Sequence, residues 1–341
     1  MLDFSSDYNV GAAEEVLMAL LRTNCERTAT YGLDKYSESA KEKIRKACDA
    51  PDARIHFLVG GTQTNATVLS AILAPYEGVV SAVTGHIATH ESGAVEYTGH
   101  KVLTVPHHDG KMLPSELSEL FRAYELDETR DHTVKPGAVY ISHPTEYGTL
   151  YTLAELEEIS TVCKRYSAKL FLDGARLGYG LAAEGTDVTL SDIARLTDVF
   201  YIGGTKVGAL FGEAVVITSP DICPHFFTTV KQHGALLAKG RMLGIQFDTL
   251  FTDDLYMRIS RNAIRTAMRL KRGLAERGYK LYIDSPTNQQ FVIVDNEKLA
   301  ALRTRVTFNV WERLDEKSTV IRLVTGFMTS DNDVDELLAE F

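Results

Sequence analysis

Lys206 stands where a purely solvated lysine is not expected. It follows an apolar run from Val199 to Ile202 and the tripeptide from Gly203 to Thr205, and Gly208 comes two residues later. A tight glycine turn is a poor place for an ordinary surface charge. A buried lysine, or one close to another cation, has a lowered pKa, and its amine can then form an imine with a carbonyl group. We therefore predict that Lys206 forms a covalent bond.

Asp173 and Arg176 follow another apolar run, from Lys169 to Leu172, about one strand and helix before Lys206. Ligands of open α/β sheets bind at the carboxyl ends of the strands, so both side chains are expected to face a crevice. An aspartate there can hold the protonated pyridine nitrogen of pyridoxal 5'-phosphate (PLP) and make the ring an electron sink. The alternative is an aspartate that caps the next turn and pairs with Arg176.

A third segment runs from an apolar stretch at Phe57 to Val59 into Gly60, Gly61, Thr62 and Gln63. Free backbone N–H groups, a hydroxyl and the positive end of a helix form a phosphate site at such a junction. Ordinary turn chemistry is the alternative for this segment alone. The three segments support one another in this order, as a phosphate cup, a pyridine-binding acid and a Schiff-base lysine, and together they indicate PLP as the cofactor.

The elements that position these residues follow an α/β pattern, in which short apolar runs alternate with segments of helical period. The segment from Leu153 to Tyr166 is the clearest helix, because Thr152 and Glu155 form a capping box at its start. The predicted strands of a mainly parallel sheet are Ile55 to Val59, Val79 to Val83, Val102 to Val105, Ala138 to Ser142, Lys169 to Leu172, Val199 to Ile202 and Ala214 to Ile217.

The pattern changes after Leu250, and we predict a large PLP-binding domain with an N-terminal arm over residues 1–250 and a smaller α+β domain over 251–341. The smaller domain begins with an amphipathic helix. Its predicted elements are that helix at Asp254 to Arg277, strands near Lys280 to Ile283, Phe291 to Val294 and Val320 to Thr325, and a last helix at Asp333 to Phe341.

Composition excludes several classes of protein. The net charge is −10 over 341 residues with a pI near 5.5 and no basic stripe, which argues against a nucleic-acid partner. The start of the chain lacks the pattern of a signal peptide, and no stretch approaches the roughly 18–20 apolar residues of a membrane span. The four cysteines form no C-x-x-C pair, which suits a reducing compartment. We expect a soluble, cytoplasmic protein.

Several motifs resemble the threonine aldolase family, within the aminotransferase-like (fold type I) superfamily of PLP enzymes, over nearly the whole chain. Leu172 to Arg176 is similar to the family's most characteristic string, and Gly203 to Lys206 to its lysine motif. Ser6 resembles part of the opening Ser-Asp pair, and Tyr31 begins a segment similar to Tyr-Gly-x-Asp. The resemblance implies that Ser6, Tyr31 and Arg176 bind the substrate, and that Arg176 also borders the cofactor.

Two histidines four residues apart, His86 and His90, precede Glu91 and Gly93, which are in register with the family. The resemblance implies that His86 stacks on the pyridine ring. A zinc pair on a helix is the alternative, but neither an H-E-x-x-H motif nor a third ligand accompanies the histidines, so we predict no metal.

Arg322 is a lone charge in the apolar segment from Val320 to Thr325. Such a charge needs a partner, and a carboxylate bound by both arms of the guanidinium group is a natural one. The resemblance implies that Arg322 holds the carboxylate of the substrate. A salt bridge at the domain boundary is the alternative.

Glu146 marks a departure from the family. Many members have a histidine for the substrate hydroxyl where this chain has Glu146, within the segment from His143 to Gly148. The base that takes the hydroxyl proton is therefore open between His86, Glu146 and a bound water molecule.

The resemblance implies retro-aldol cleavage of β-hydroxy-α-amino acids such as L-threonine and L-allo-threonine to glycine and an aldehyde. We predict Lys206, His86 and Glu146 as the catalytic residues, with the last two as candidate bases. Two alternatives remain at this point. One is another PLP reaction, transamination or β-elimination, and the other is a nucleotide-binding or structural α/β protein in which Lys206 contacts a phosphate.

The resemblance also implies a homodimer or homotetramer with active sites at the subunit interface. Lys231 and Lys239 fall in the region where the family reaches the phosphate of the neighbouring subunit. Symmetric assembly is common among soluble oligomers, but it does not fix the number of subunits.

Overall fold

The computed structural model describes residues 1–341, apart from the side chain of Pro220. Its strands in chain order are β1 Leu2–Asp3, β2 Arg54–Leu58, β3 Glu77–Ala82, β4 Val102–Val105, β5 Lys135–Ser142, β6 Lys169–Asp173, β7 Val199–Gly203, β8 Glu213–Ile217, β9 Gln289–Asp295, β10 Val306–Thr307, β11 Asn309–Arg313 and β12 Ser318–Val324.

The helices lie between these strands and cover them. In chain order they are α1 Glu14–Thr23, α2 Lys35–Ala47, α3 Gly61–Ile72, α4 His86–Thr89, α5 Ala94–Tyr97, α6 Pro114–Leu126, α7 Leu153–Arg165, α8 Leu177–Ala182, α9 Leu190–Leu196, α10 Phe226–Gln232, α11 Arg241–Leu250, α12 Leu255–Glu276, α13 Asn296–Leu302 and α14 Asp331–Ala339.

The large sheet of the described chain has the strand order β2-β8-β7-β6-β5-β3-β4. The five strands β4, β3, β5, β6 and β7 are parallel to one another. Strand β8 runs antiparallel to β7 and to β2. The carboxyl ends of β6 and β7 therefore meet at one edge. This arrangement brings Asp173 and the turn before Lys206 together.

The large sheet has an apolar core on each face, as a sheet covered by helices requires. Along β7, Phe200 and Ile202 pack into one core, and Val199 and Tyr201 pack into the other. This alternation follows from the two-residue period of a strand. Because β7 is buried throughout, it provides a rigid support for the lysine turn that follows it.

A small antiparallel sheet of order β11-β12-β9 lies in the C-terminal region, with α12 and α14 packed in the same region. The start of the chain joins this region, because β1 pairs in parallel with β10. Phe4 is buried in the same apolar cluster as Leu270 and Leu323. These contacts bring the residues just before Asp7 close to the C-terminal sheet.

The predicted α/β architecture is confirmed, with each predicted strand of the large sheet within about three residues of its observed bounds. The capping box of Thr152 and Glu155 begins α7 as predicted. The strand predicted near Lys280 to Ile283 is wrong: only Leu281 bridges to Val292, and the chain then turns away. Within the described residues, no helix has both the length and the apolar character to cross a membrane.

Candidate active site

A cavity of about 400 Å³ opens at the carboxyl ends of β6 and β7. The N-terminus of α3 and the segment after β5 complete its walls. The predicted site residues that line it are Gly61, Thr62, His86, Glu146, Asp173, Arg176 and Lys206. Three segments far apart in the sequence thus meet in one place, as the sequence predicted.

Lys206 lies in a turn held from several sides. The Tyr179 hydroxyl donates a hydrogen bond of 2.6 Å to the Lys206 carbonyl oxygen. The Lys206 Nζ lies 5.9 Å from the centre of the Tyr8 ring. Burial lowers the pKa of Lys206, and the positive charge of Arg176 lowers it further, against the opposing charges of nearby acids. A lowered pKa favours the neutral amine, which is the nucleophilic form.

Asp173 is buried and accepts hydrogen bonds from several neutral donors. Its Oδ1 accepts from the Tyr201 hydroxyl at 2.5 Å and from the Ala175 N–H at 3.0 Å. Its Oδ2 accepts from the Tyr140 hydroxyl at 2.6 Å and from Asn65 Nδ2 at 3.0 Å. Burial opposes ionisation, but His86 and these donors together hold the pKa of Asp173 below its usual value.

The phosphate-cup segment lies at the N-terminus of α3. An added Cβ at Gly60 would meet no atom within 4 Å, and one at Gly61 would lie 3.2 Å from the Tyr201 hydroxyl oxygen. The side chain of Gln63 folds back and accepts a hydrogen bond from the Val59 N–H at 3.3 Å. Open space, free helix N–H groups and the helix dipole make this end of the cavity suitable for an anion.

His86 is oriented by a chain of hydrogen bonds that leads to Asp173. His86 Nδ1 lies 2.7 Å from Glu91 Oε1, and that oxygen also accepts from Asn65 Nδ2 at 2.7 Å. Asn65 Nδ2 in turn donates to Asp173. In the neutral ring, a proton on Nδ1 that is donated to Glu91 leaves the Nε2 lone pair free.

Glu146 is held by one of its two carboxyl oxygens. Its Oε1 accepts from the His86 backbone N–H at 2.8 Å and from Ser142 Oγ at 2.7 Å. Burial raises the pKa of Glu146, and the negative charge of Asp173 raises it further, while the Ser142 bond lowers it. The remaining oxygen, Oε2, is available for a proton.

Arg176 lines the cavity, but Asp7 occupies one edge of its guanidinium group. Arg176 Nε and Nη2 donate to the two carboxylate oxygens of Asp7 at 2.7 and 2.9 Å. Asn288 Nδ2 also donates to Asp7, at 2.9 Å. The pairing with an acid that the sequence left open for Arg176 is therefore present, with Asp7 as the partner instead of Asp173.

Arg322 lies on β12 and is not among the residues that line the cavity. Its Nη1 donates to Gln289 Oε1 at 3.1 Å, and its guanidinium carbon lies 5.3 Å from the Trp311 ring centre. The buried Nε has no hydrogen-bond partner within the described structure. Burial, with the charge of Arg176, lowers the pKa of Arg322 to about 10. An arginine with an unused buried donor is suited to binding an incoming anion.

Ser6 and Tyr31 are not among the residues that line the cavity. Ser6 directly precedes Asp7 and is half-buried. Tyr31 borders a separate pocket of about 130 Å³, and Lys231 Nζ lies 4.9 Å from the centre of its ring. Within one chain, Tyr31 and Lys231 therefore form a group apart from the cavity around Lys206.

Sequence reasoning missed several residues of the cavity and its support. Tyr140, Tyr201 and Asn65 all donate to Asp173, and Glu213 lines the cavity wall. Glu213 carried a usable signal, since it is a charge at the head of the apolar run from Ala214 to Ile217. The two tyrosines carried none, because strand aromatics pack in most cores.

The mainly parallel sheet, the small C-terminal sheet, and the lysine and aspartate that share one cavity define an aminotransferase-like protein of fold type I. An aspartate aminotransferase from Thermus thermophilus has this fold, with a TM-score of 0.70 at 17% identity over 100% of this chain and 91% of its own.

Residues 3–297 match the family described as beta-eliminating lyase. A low specificity L-threonine aldolase of Pseudomonas aeruginosa is 30% identical over 89% of this chain and 87% of its own. The solved structure of Leishmania major threonine aldolase matches with a TM-score of 0.96 at 41% identity, over 99% of this chain and 98% of its own. The chain belongs to the threonine aldolase family, among the beta-eliminating lyases.

Proposed function

We propose that this chain cleaves L-threonine and L-allo-threonine to glycine and acetaldehyde by a retro-aldol reaction, with PLP bound at Lys206. The observation that carries the proposal is the meeting of Lys206, Asp173, His86 and Glu146 around one cavity. The named activity of the similar proteins from Pseudomonas aeruginosa and Leishmania major supports the same reaction.

The residues around the cavity fit PLP. The open space at Gly60 and the N–H groups at the start of α3 suit its phosphate, with Gly61, Thr62 and Gln63 as the predicted contacts. Asp173, whose pKa is held low, is the acceptor for the pyridine nitrogen, and His86 is the partner for the ring face. Lys206 supplies the amine. When bound, PLP supplies an electron-accepting ring that stabilises negative charge on the α-carbon of the substrate.

Arg322 is the proposed partner of the substrate carboxylate. Its unused buried Nε and its charge favour an anion, and the Gln289 contact fixes its position. Arg176 adds positive charge, although Asp7 takes two of its donors. Ser6 is proposed as a further contact and lies next to Asp7. Tyr31 acts on the substrate in this proposal from a neighbouring subunit, since it is remote from the cavity of its own chain.

The β-hydroxyl proton of the substrate goes to His86 or Glu146. In the neutral ring of His86, the contact of Nδ1 with Glu91 leaves Nε2 as the atom that can accept it. Glu146 offers Oε2, because both donors hold Oε1. The two side chains are linked through the backbone N–H of His86, so both are fixed on the same side of the cavity.

The reaction is tested by adding PLP and L-threonine or L-allo-threonine to the purified chain and measuring acetaldehyde and glycine together. We expect equal amounts of both products, with no need for a keto acid. Ammonia and a keto acid as products would indicate β-elimination, and a requirement for an added keto acid would indicate transamination. Either result would contradict the aldolase proposal.

We also propose a homodimer or homotetramer that acts in the cytoplasm, with the active site at the subunit interface. Exposed apolar side chains on α1, including Leu17 and Leu21, support an oligomer. The division into residues 1–250 and 251–341 likewise stays a proposal, with β1 packed against the C-terminal part.

A further inference from the structure

Glu213 is a buried acid in the wall of the Lys206 cavity that none of the roles above uses. It begins β8 and lies opposite Gly203, the last residue of β7. Only 3% of its surface is exposed. Removing a carboxylate from water is costly unless a positive charge nearby balances it. An ionised Glu213 therefore needs such a positive charge close to it.

The carboxyl group of Glu213 accepts hydrogen bonds from the two residues before Lys206. Its Oε1 accepts from Thr205 Oγ at 2.8 Å, and its Oε2 accepts from the Gly204 N–H at 3.2 Å. Both donors are neutral. They fix the position of the carboxyl group relative to the lysine turn without supplying a positive charge.

The two other acids near Lys206 have partners of their own. Asp7 is paired with Arg176 through two hydrogen bonds, and His86 together with several hydrogen-bond donors holds the pKa of Asp173 low. Burial raises the pKa of Glu213 to about 8, and the positive charge of Lys206 acts in the opposite direction. Of these three acids, Glu213 is therefore the one whose pKa is raised, and the charge on Lys206 affects whether it is protonated.

Thr205 can serve both protonation states of Glu213. A hydroxyl group has one donor and two acceptor positions. Thr205 Oγ accepts from the Gly212 N–H at 2.9 Å, which holds it in place. It can donate to an ionised Glu213 or accept from a protonated one, so neither state leaves the carboxyl group without a partner.

We propose that Glu213 is a positioning residue that sets the protonation of Lys206. The carboxylate favours the ammonium form of Lys206, against burial and the positive charge of Arg176, which favour the neutral amine. Glu213 thereby limits how much of the lysine is neutral at a given pH. The inference rests on the proposed function, because a neutral amine is the form that attacks the cofactor carbonyl group.

The test is competitive acetylation of the full-length chain, freed of any PLP, with acetic anhydride between pH 6 and 10. Peptide mass spectrometry measures the acetylated fraction at Lys206, with exposed Lys101 as the internal standard. Wild type is compared with Glu213→Gln, which keeps the size but not the charge, and with Glu213→Asp, which keeps the charge. Glu116→Gln, remote from the cavity, is the matched control.

We expect Glu213→Gln to raise Lys206 acetylation at pH 7 about tenfold, because losing a nearby negative charge lowers the pKa of a lysine by about one unit. Glu213→Asp should largely restore the wild-type profile. Thr205→Val, which withdraws a donor from the carboxylate, should shift the profile in the same direction by about threefold.

An unchanged Lys206 profile in Glu213→Gln would overturn the proposal. If that variant does not fold, an unchanged profile in Thr205→Val would do the same. The proposed function fails separately: if added PLP does not protect Lys206 of the wild type from acetylation, the cofactor assignment is wrong whatever Glu213 does.

Discussion

His86 and Glu146 are the side chains proposed to move a proton, and different contacts hold them. Glu91 fixes the imidazole ring of His86 through Nδ1, whereas Glu146 is fixed through one oxygen by a backbone N–H and a serine hydroxyl. The histidine thus depends on one acid for its orientation. The glutamate depends on burial for its proton affinity.

Glu91→Gln should lower kcat about a hundredfold, in line with the smaller contributions of a general base, and change KM much less. A glutamine has only one acceptor oxygen, so it cannot hold the ring proton of His86 as firmly as a carboxylate. Steady-state kinetics with L-threonine measure the effect. Glu116→Gln is the control, since His108 Nε2 and Glu116 form a similar pair at the surface, 3.0 Å apart. Equal kcat values for both variants would contradict the orienting role.

Glu146→Gln should make the protein more stable than wild type as the pH rises. Burial raises the pKa of Glu146 in the folded chain above its usual value of 4.5. Between those two pKa values the unfolded chain releases a proton that the folded chain keeps, so wild-type stability falls with rising pH in this window. A glutamine does not ionise, so its stability does not fall in this way as the pH rises. Its amide oxygen can still accept the hydrogen bond from Ser142.

Thermal unfolding from pH 4 to pH 8 checks this prediction. The difference in Tm between Glu146→Gln and wild type should increase with pH. A difference that is constant over the range would show that Glu146 ionises normally in the folded chain.

The ends of β6 and β7 approach so closely that only glycine fits between them. An added Cβ at Gly174 would overlap the Tyr201 carbonyl oxygen, and one at Gly203 would overlap that of Ala175. These contacts lie directly beside Asp173 and the lysine turn. The close approach of two strands therefore fixes the spacing of the site.

Gly174→Ala should weaken PLP binding at least about tenfold, because the strand ends must separate by enough to move Asp173 relative to Lys206. Fluorescence titration with PLP measures the Kd. Gly11→Ala is the matched control, since an added Cβ there meets no atom within 4 Å. A Kd for Gly174→Ala equal to that of the control would contradict the argument.

The sequence predicted the central strands because they are continuous apolar runs, which a sheet covered on both faces requires. It did not predict β11, because Asn309–Arg313 is short, mixes polar and apolar residues and lies at an edge. The segment from Lys280 to Ile283 has an apolar pattern but makes a single bridge, and Ser285 then bonds to the Gly148 carbonyl oxygen. Local pattern cannot foresee such tertiary hydrogen bonds.

The candidate site was predictable where a motif carries its own chemistry, as at Lys206 and Asp173. The Asp7–Arg176 pair joins residues 169 positions apart. The hydrogen bonds that link His86, Glu91 and Asn65 join α4 and the loop after it to α3. Such contacts depend on the packed structure, so spacing in the sequence does not reveal them.

At the scale of the whole molecule, the proposed homo-oligomer would give a role to the pocket at Tyr31 and Lys231, which is separate from the cavity of the same chain. Light scattering should give a mass two or four times 37.7 kDa. Leu21, 69% exposed on α1, is a candidate contact, and Leu21→Glu should shift the protein toward monomers. Leu126→Glu, at a side chain 70% exposed elsewhere, should not. A fully active wild-type monomer would contradict the interface proposal.

The most direct test of the central claim is to reduce the PLP-treated chain with borohydride and map the modified residue by peptide mass spectrometry. We predict one phosphopyridoxyl group per chain, on Lys206, and its loss in Lys206→Ala. A modification spread over surface lysines, or none on Lys206, would contradict the account.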